Sequence, residues 1–347
     1  MSAGYSPIIA DGGVMRYGLW NNKGGVGKSF LSFVLATEYA HEHPKKQVLV
    51  ADMCPQANLS EIILGGNGTG SKALEKQIKA RKTIGGYFDA RITSPHALTG
   101  NETSHLLQAS AFNKNLPENI WIVAGDPSLE LQAQVINQIS AQTLPHDAWK
   151  SVHNWLFDLL LACSKHLGIN DTVSFIDCNP SFSAYTELAM MASERIIVPC
   201  SSDGSSARAI DNVGSLLYGL GRQTYSRGFA AKAKEFDMTL PKIHSVLLNR
   251  STQYNKKASK AFGAMFDEIK ERTDAMVKAA PSNFVGKKAN FAEIPDNHSV
   301  AIVCSHLGRP LYSMTPGQYP VHDENPQINA APLDRYKEHV QAFLASL

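Results

Sequence analysis

Lys23-Gly24-Gly25-Val26-Gly27-Lys28-Ser29-Phe30 separates an apolar run over 14–20 from a stretch with helical apolar spacing over 29–42. A strand, a glycine-rich turn and a helix in that order are the setting in which such a turn binds phosphate. Glycines let backbone N–H groups turn inward around an anion, and the helix N-terminus adds a favourable dipole. The backbone of Gly24, Gly25, Val26, Gly27, Lys28, Ser29 and Phe30 is therefore the expected cradle for the phosphates of a nucleotide. Lys28 is placed to reach the β- and γ-phosphates, and the Ser29 hydroxyl to ligate Mg²⁺. The general pattern has a glycine five residues before Gly27, where this chain has Asn22, and Lys23 is an additional cation.

Outward from the turn, Pro44 stops the first helix. Residues 47–51 form a short apolar run, as expected of a strand buried on both faces. Further strands are expected over 120–124, 173–176, 195–199 and 243–248, with helices over 128–140 and 147–166. Strands alternating with helices at this spacing imply an α/β fold with a mostly parallel twisted sheet, flanked by helices on both faces. Residues 1–347 read as one such domain. Residues 65–117, opening Gly65-Gly66-Asn67-Gly68-Thr69-Gly70, read as an irregular insertion with a lysine-rich helical piece around 73–82. A surface excursion of that kind is a natural place for a partner-specific contact.

Two carboxylates end strands beside the turn. Asp177 closes the 173–176 strand, at the sheet end where ligands bind in open α/β folds, and is expected to hold Mg²⁺ through water. Asp52 ends the neighbouring strand and is expected near the same ion. Asn249 follows the 243–248 strand, and its amide offers the donor and acceptor that an adenine edge needs.

The stretch 23–29 resembles the deviant Walker A motif of the ParA/MinD family of P-loop ATPases, nearest its ParA/Soj-type partition members. Three further segments carry the resemblance: 48–59 (Val-Leu-Val-Ala-Asp-Met-Cys-Pro-Gln-Ala-Asn-Leu), 175–181 (Phe-Ile-Asp-Cys-Asn-Pro-Ser), and Ile294-Pro295 with Ser305-His306-Leu307-Gly308-Arg309-Pro310. It implies a P-loop NTPase fold in which ATP and Mg²⁺ close a homodimer. Lys23 would cross to the partner's nucleotide and neutralise charge on the γ-phosphate, with Lys28 and Asp52 completing the catalytic set. Pro295 would flank the base. Non-specific double-stranded DNA would be bound on a basic surface, and a ParB-like adaptor would trigger release in plasmid, chromosome or cargo partitioning. For that surface the candidates are Arg250, Lys256, Lys257 and Lys260, with Lys287 and Lys288.

One departure stands out. The family pattern places a second Asp two residues after Asp52, where it orients or activates the attacking water, and this chain has Cys54. A thiol with an ordinary pKa near ~8.5 does not replace a carboxylate beside a triphosphate. Nucleotide binding is expected intact and hydrolysis slow, unless Asp52 or a partner protein takes over. The alternative reading is an ATP-locked dimeric scaffold with little hydrolysis.

Bulk properties narrow the remaining classes. The chain has 347 residues, 44% apolar, with a formal net charge of +2. That charge argues against a dedicated nucleic-acid coat protein while permitting a local basic patch. Five cysteines without a C-x-x-C pair fit a reducing compartment, and leave Cys178 without the companion a nitrogenase-iron-protein-like cluster needs. No signal peptide and no apolar run of about 20 residues is evident, so a cytoplasmic, nucleoid-associated protein without a membrane target is expected. About a dozen residues precede the first strand, too few for a helix-turn-helix region. The terminal helix over 333–347 has cancelling charges rather than a basic face, and is expected to dock on its own domain.

Overall fold

Alternating apolar residues in the strands send side chains to both faces of one sheet. The structure, a computed structural model, describes residues 14–201, 206–221, 228–251, 253, 254, 257, 258 and 260–347, with backbone alone over 250–262. The strands are β1 (Met15–Leu19), β2 (Gln47–Met53), β3 (Leu107–Gln108), β4 (Ile120–Val123), β5 (Thr172–Cys178), β6 (Arg195–Cys200), β7 (Lys242–Ser251), β8 (Gln253–Tyr254), β9 (Lys257–Ala258), β10 (Phe291–Pro295), β11 (Gly317–Gln318) and β12 (Gln327–Ile328). The main sheet runs β10-β7-β6-β1-β5-β2-β4-β3. All neighbours are parallel except β3, which is antiparallel to β4 at the edge.

Helices cover both faces: α1 (Lys28–Glu42), α2 (Asn58–Ile63), α3 (Thr69–Lys79), α4 (Ile84–Thr93), α5 (Leu129–Ser140), α6 (Ala148–His153), α7 (Trp155–Leu167), α8 (Ala184–Ala192), α9 (Ser206–Tyr218), α10 (Phe229–Glu235), α11 (Lys260–Ala279), α12 (His298–Leu307) and α13 (Ala330–Leu344). Within β2, Leu49, Ala51 and Met53 join a core under α4, α5, α7 and α8, whereas Val48 and Val50 join a second core under α1, α2, α12 and α13. This two-sided burial makes the mostly parallel α/β sheet inferred from the sequence. In α13, Leu333, Tyr336, Val340, Phe343 and Leu344 are buried in the second core, so the terminal helix docks on its own chain. No helix of the described residues is long and apolar enough to cross a membrane.

Two expectations need correction. Residues 65–117 are more regular than expected: α3 falls on the lysine-rich helical piece, but the stretch also holds α4, and β3 extends the main sheet. The glycines there had read as loop signals, yet Gly85 and Gly86 lie inside α4 and serve close packing. A Cβ on Gly86 would meet the Arg81 carbonyl at 1.8 Å, and one on Gly85 the Ser128 hydroxyl at 2.3 Å. Thr83 caps α4 by accepting from the Gly86 N–H, and Ile84, Tyr87 and Phe88 bury its apolar face. The single helix expected over 147–166 is two. They meet at Asn154, where Trp155 begins the second helix with its indole N–H on the Pro95 carbonyl at 2.9 Å.

Candidate active site

The C-terminal ends of β1, β2 and β5 converge on the turn between β1 and α1. Gly25 and Gly27 have φ of 78° and 79°, the left-handed conformation that glycine adopts without strain, and Gly27 is the N-cap of α1. A Cβ on Gly24 or Gly25 would meet nothing within 4 Å, so the loop's outer face is open to a ligand. Asn21, fully buried, fastens the entry: its amide donates to the Pro199 carbonyl at 2.7 Å and its Oδ1 accepts from the Lys23 N–H at 3.0 Å. The Lys28 ammonium folds back over the loop, donating to the Lys23 carbonyl at 2.9 Å. Burial lowers its pKa, and the nearby Asp177 opposes that shift. Lys23 donates to the Ser201 hydroxyl of its own chain at 2.9 Å.

Asp52 and Asp177 are direct partners in the β2–β5 register, and both are buried. Their environments differ in one decisive way. Asp52 Oδ1 accepts from the Cys54 N–H at 3.1 Å, while Oδ2 accepts from the Ser60 N–H at 2.9 Å and its hydroxyl at 2.7 Å. Asp177 accepts from Ser32 at 3.0 Å, and the nearby Ser29 side chain opposes the rise in its pKa, but its Oδ2 is buried with no hydrogen-bond partner among the described residues. An orphaned carboxylate oxygen near the Ser29 hydroxyl is the kind of oxygen donor a hard cation takes. Burial raises both carboxyl pKa values, and repulsion by Asp177 raises Asp52 further.

An open cleft of about 690 Å³ lies over the turn. Gly24, Gly25, Gly27, Lys28, Ser29 and Phe30 form its floor, with Cys54 and Cys178 at one side. Asn58, Glu61 and Ile62 of α2 and Ile302, Ser305 and His306 of α12 also line it. The Cys54 thiol receives the Asn179 amide at 3.7 Å, and burial, reinforced by Asp52, pushes its pKa up to about 12. It is a neutral thiol at any physiological pH. Val26, named among the cradle residues, is buried and offers the loop its backbone.

Asn249 and Pro295 come together at the ends of β7 and β10, where Ile294 pairs Asn249 and Pro295 pairs Ser251. Neither lines the cleft. The Asn249 amide donates to the Val26 carbonyl at 2.7 Å, buttressing the turn from beneath. Of the basic candidates, Lys287 and Lys288 are exposed; Lys256 and the side chains of Arg250, Lys257 and Lys260 lie outside the described residues. The sequence reading missed Ser32, Ser60 and Gly125. Gly125 donates to the Ser60 hydroxyl at 2.8 Å, and a Cβ there would lie 3.0 Å from Asp52 Cγ. Only Ser60 left a local signal, as a hydroxyl eight residues after Asp52.

Comparison with known proteins agrees with this geometry. A family profile described as an AAA domain matches residues 17–218, more than half of the chain. Apo McdA from Cyanothece is similar in structure with a TM-score of 0.61 at 14% identity, spanning 95% of this chain and 99% of that one. Protein DIP2308 from Corynebacterium diphtheriae gives 0.58 at 16% identity, over 85% and 97%. A putative plasmid partition protein from Borrelia burgdorferi B31, bound to AMPPNP, gives 0.51 at 16% identity, over 96% and 100%. At such identities the likeness is one of fold. No curated protein matches in sequence. The family profile spans the turn, both strand-end carboxylates and most of the sheet, and the chain belongs to the ParA/MinD family of P-loop ATPases.

Proposed function

We propose that this protein is a slow, ATP-dependent dimerising ATPase of the partition type. The observation that carries the reading is the open glycine cradle with Lys28, Ser29 and the unpartnered Asp177 Oδ2 at one strand end. ATP would lie on the loop backbone of residues 24–30, with the Lys28 ammonium exchanging its carbonyl partners for phosphate oxygens. Ser29 and Asp177 would hold Mg²⁺, which supplies neutralisation of phosphate charge. Asp52, with both oxygens bonded within the protein, would act by fixing the loop through Cys54 and the start of α2. Adenine recognition at Asn249 and Pro295 would require the Asn249 amide to exchange Val26 for the base.

On this reading ATP closes a homodimer in which Lys23 leaves Ser201 for the partner's nucleotide. The dimer binds double-stranded DNA without sequence preference, and a ParB-like adaptor releases it, within a cytoplasmic, nucleoid-associated cycle. Support comes from neighbours: a variant of McdA from Cyanothece has been solved as an ATP complex and the Borrelia protein with AMPPNP. The neutral thiol at Cys54 favours a second reading, an ATP-locked scaffold with hydrolysis nearly abandoned.

The test is ATP·Mg²⁺ affinity and steady-state turnover, with and without double-stranded DNA, beside Lys28→Ala. Micromolar affinity that Lys28→Ala weakens at least about tenfold, with slow turnover, supports the ATPase. Equal affinity in both proteins contradicts it, and tight binding with no turnover selects the scaffold.

A further inference from the structure

The cleft needs a carboxylate near Cys54 and has one, though not at that position. Among the described residues, Glu61 is the only Asp or Glu lining the cleft that also holds Lys28, Ser29 and Cys54. Asp52 and Asp177 do not line it: both are buried, Asp52 with both oxygens bonded to Ser60 and the Cys54 N–H, and Asp177 with its open Oδ2 assigned to the Mg²⁺ of the reading above. The orientation of α2 explains why Glu61 faces the cleft. Leu59 and Ile63 are fully buried in the core, and Ser60 is tied to Asp52 and to the Gly125 N–H. Asn58, Glu61 and Ile62, at the spacing that shares a helix face, are left to line the cavity.

The backbone at Glu61 is clasped as well. Its carbonyl accepts from the Gly66 N–H at 2.9 Å, and Gly70 packs so closely that a Cβ there would lie 2.1 Å from the same oxygen. A half-buried carboxylate on a fixed backbone, in the cavity that would hold the γ-phosphate, is built to orient a polar ligand.

Resting on the ATPase reading above, we propose that Glu61 is the carboxylate that positions the attacking water, in place of the one absent at Cys54. The water oxygen bonds to the γ-phosphorus as the bond to the β–γ bridging oxygen breaks, its electron pair leaving on ADP. One water proton stays on the released phosphate; the other passes to Glu61 and on to solvent. A Glu reaches one methylene further than an Asp, and the carboxylate is supplied by α2 rather than by the loop after β2.

The experiment compares native protein, Glu61→Gln and Glu61→Gln with Cys54→Asp, each saturated with ATP·Mg²⁺. It measures affinity for a fluorescent ATP analogue, turnover, and whether the bound nucleotide is recovered as ATP or ADP. Glu61→Gln is expected to keep its affinity within about threefold, to slow turnover by about 100-fold, and to retain intact ATP. Adding Cys54→Asp is expected to restore at least about tenfold of that loss. Turnover of Glu61→Gln within twofold of native overturns the proposal, as does a loss of affinity equal to the loss of rate, which marks a binding or structural role. Native protein that binds ATP but leaves it intact also overturns it. Failure of the native protein to bind ATP·Mg²⁺ at all would remove the ATPase reading together with this one.

Discussion

Cys54 stands where the family resemblance expects a hydrolytic carboxylate. The backbone N–H of Cys54 bonds Asp52, and its thiol, pushed up to about 12, faces the cleft. A neutral thiol neither accepts a water proton nor orients water as a carboxylate does. In the Glu61→Gln background, Cys54→Asp is therefore expected to raise ATP turnover by at least about tenfold, part of the ~10²–10⁴ that a positioned general base contributes. Steady-state phosphate release checks this. An unchanged rate means that the step limiting turnover lies elsewhere, in product release or in assembly of the dimer.

The element on which the site turns is α2, held at both ends. Ser60 joins it to Asp52, and the glycine turn behind it docks on α12: the Asn67 N–H donates to the His306 carbonyl at 2.8 Å. Gly66 makes that docking possible. It has φ of 74°, and a Cβ there would meet the His306 carbonyl at 2.3 Å, whereas Gly68, with φ of 84°, has open space around it. Gly66→Ala is expected to cost about 2–4 kcal/mol, and Gly68→Ala about 1 kcal/mol, the backbone strain alone. Chemical denaturation of the two variants separates clash from strain. This coupling was illegible in the sequence because it depends on residues far apart: Gly125 follows β4, and His306 belongs to α12. The phosphate-binding turn and the strands carrying Asp52 and Asp177 were legible, since local glycine spacing and unbroken apolar runs encode them. Residues 65–117 misled for the opposite reason. Their glycines look like loop punctuation in sequence, and only the packed helices show that they permit close approach.

Across the whole molecule, α1 links the phosphate-binding turn to the C-terminal segment. Glu38, buried on α1, accepts the Tyr312 N–H at 2.8 Å, and burial pushes its pKa up to about 7 from 4.5. The folded protein thus holds a proton that the unfolded chain has released. The contribution is fully present below about pH 4.5 and is lost as pH rises through about 7. Glu38→Gln stays neutral and keeps the acceptor, so its stability relative to native should climb by roughly 2 kcal/mol between pH 4.5 and 8. Urea melts across that window check the sign; a constant difference would mean that Glu38 ionises normally. On the proposed function, ATP bound at the turn between β1 and α1 drives the joining of two copies of this chain. The most direct test of this step is the molar mass in solution, by light scattering, without nucleotide and then with saturating ATP·Mg²⁺. A mass near 37.8 kDa that doubles when ATP is added is the expected result. A single-chain mass that persists while ATP occupancy is complete would contradict it.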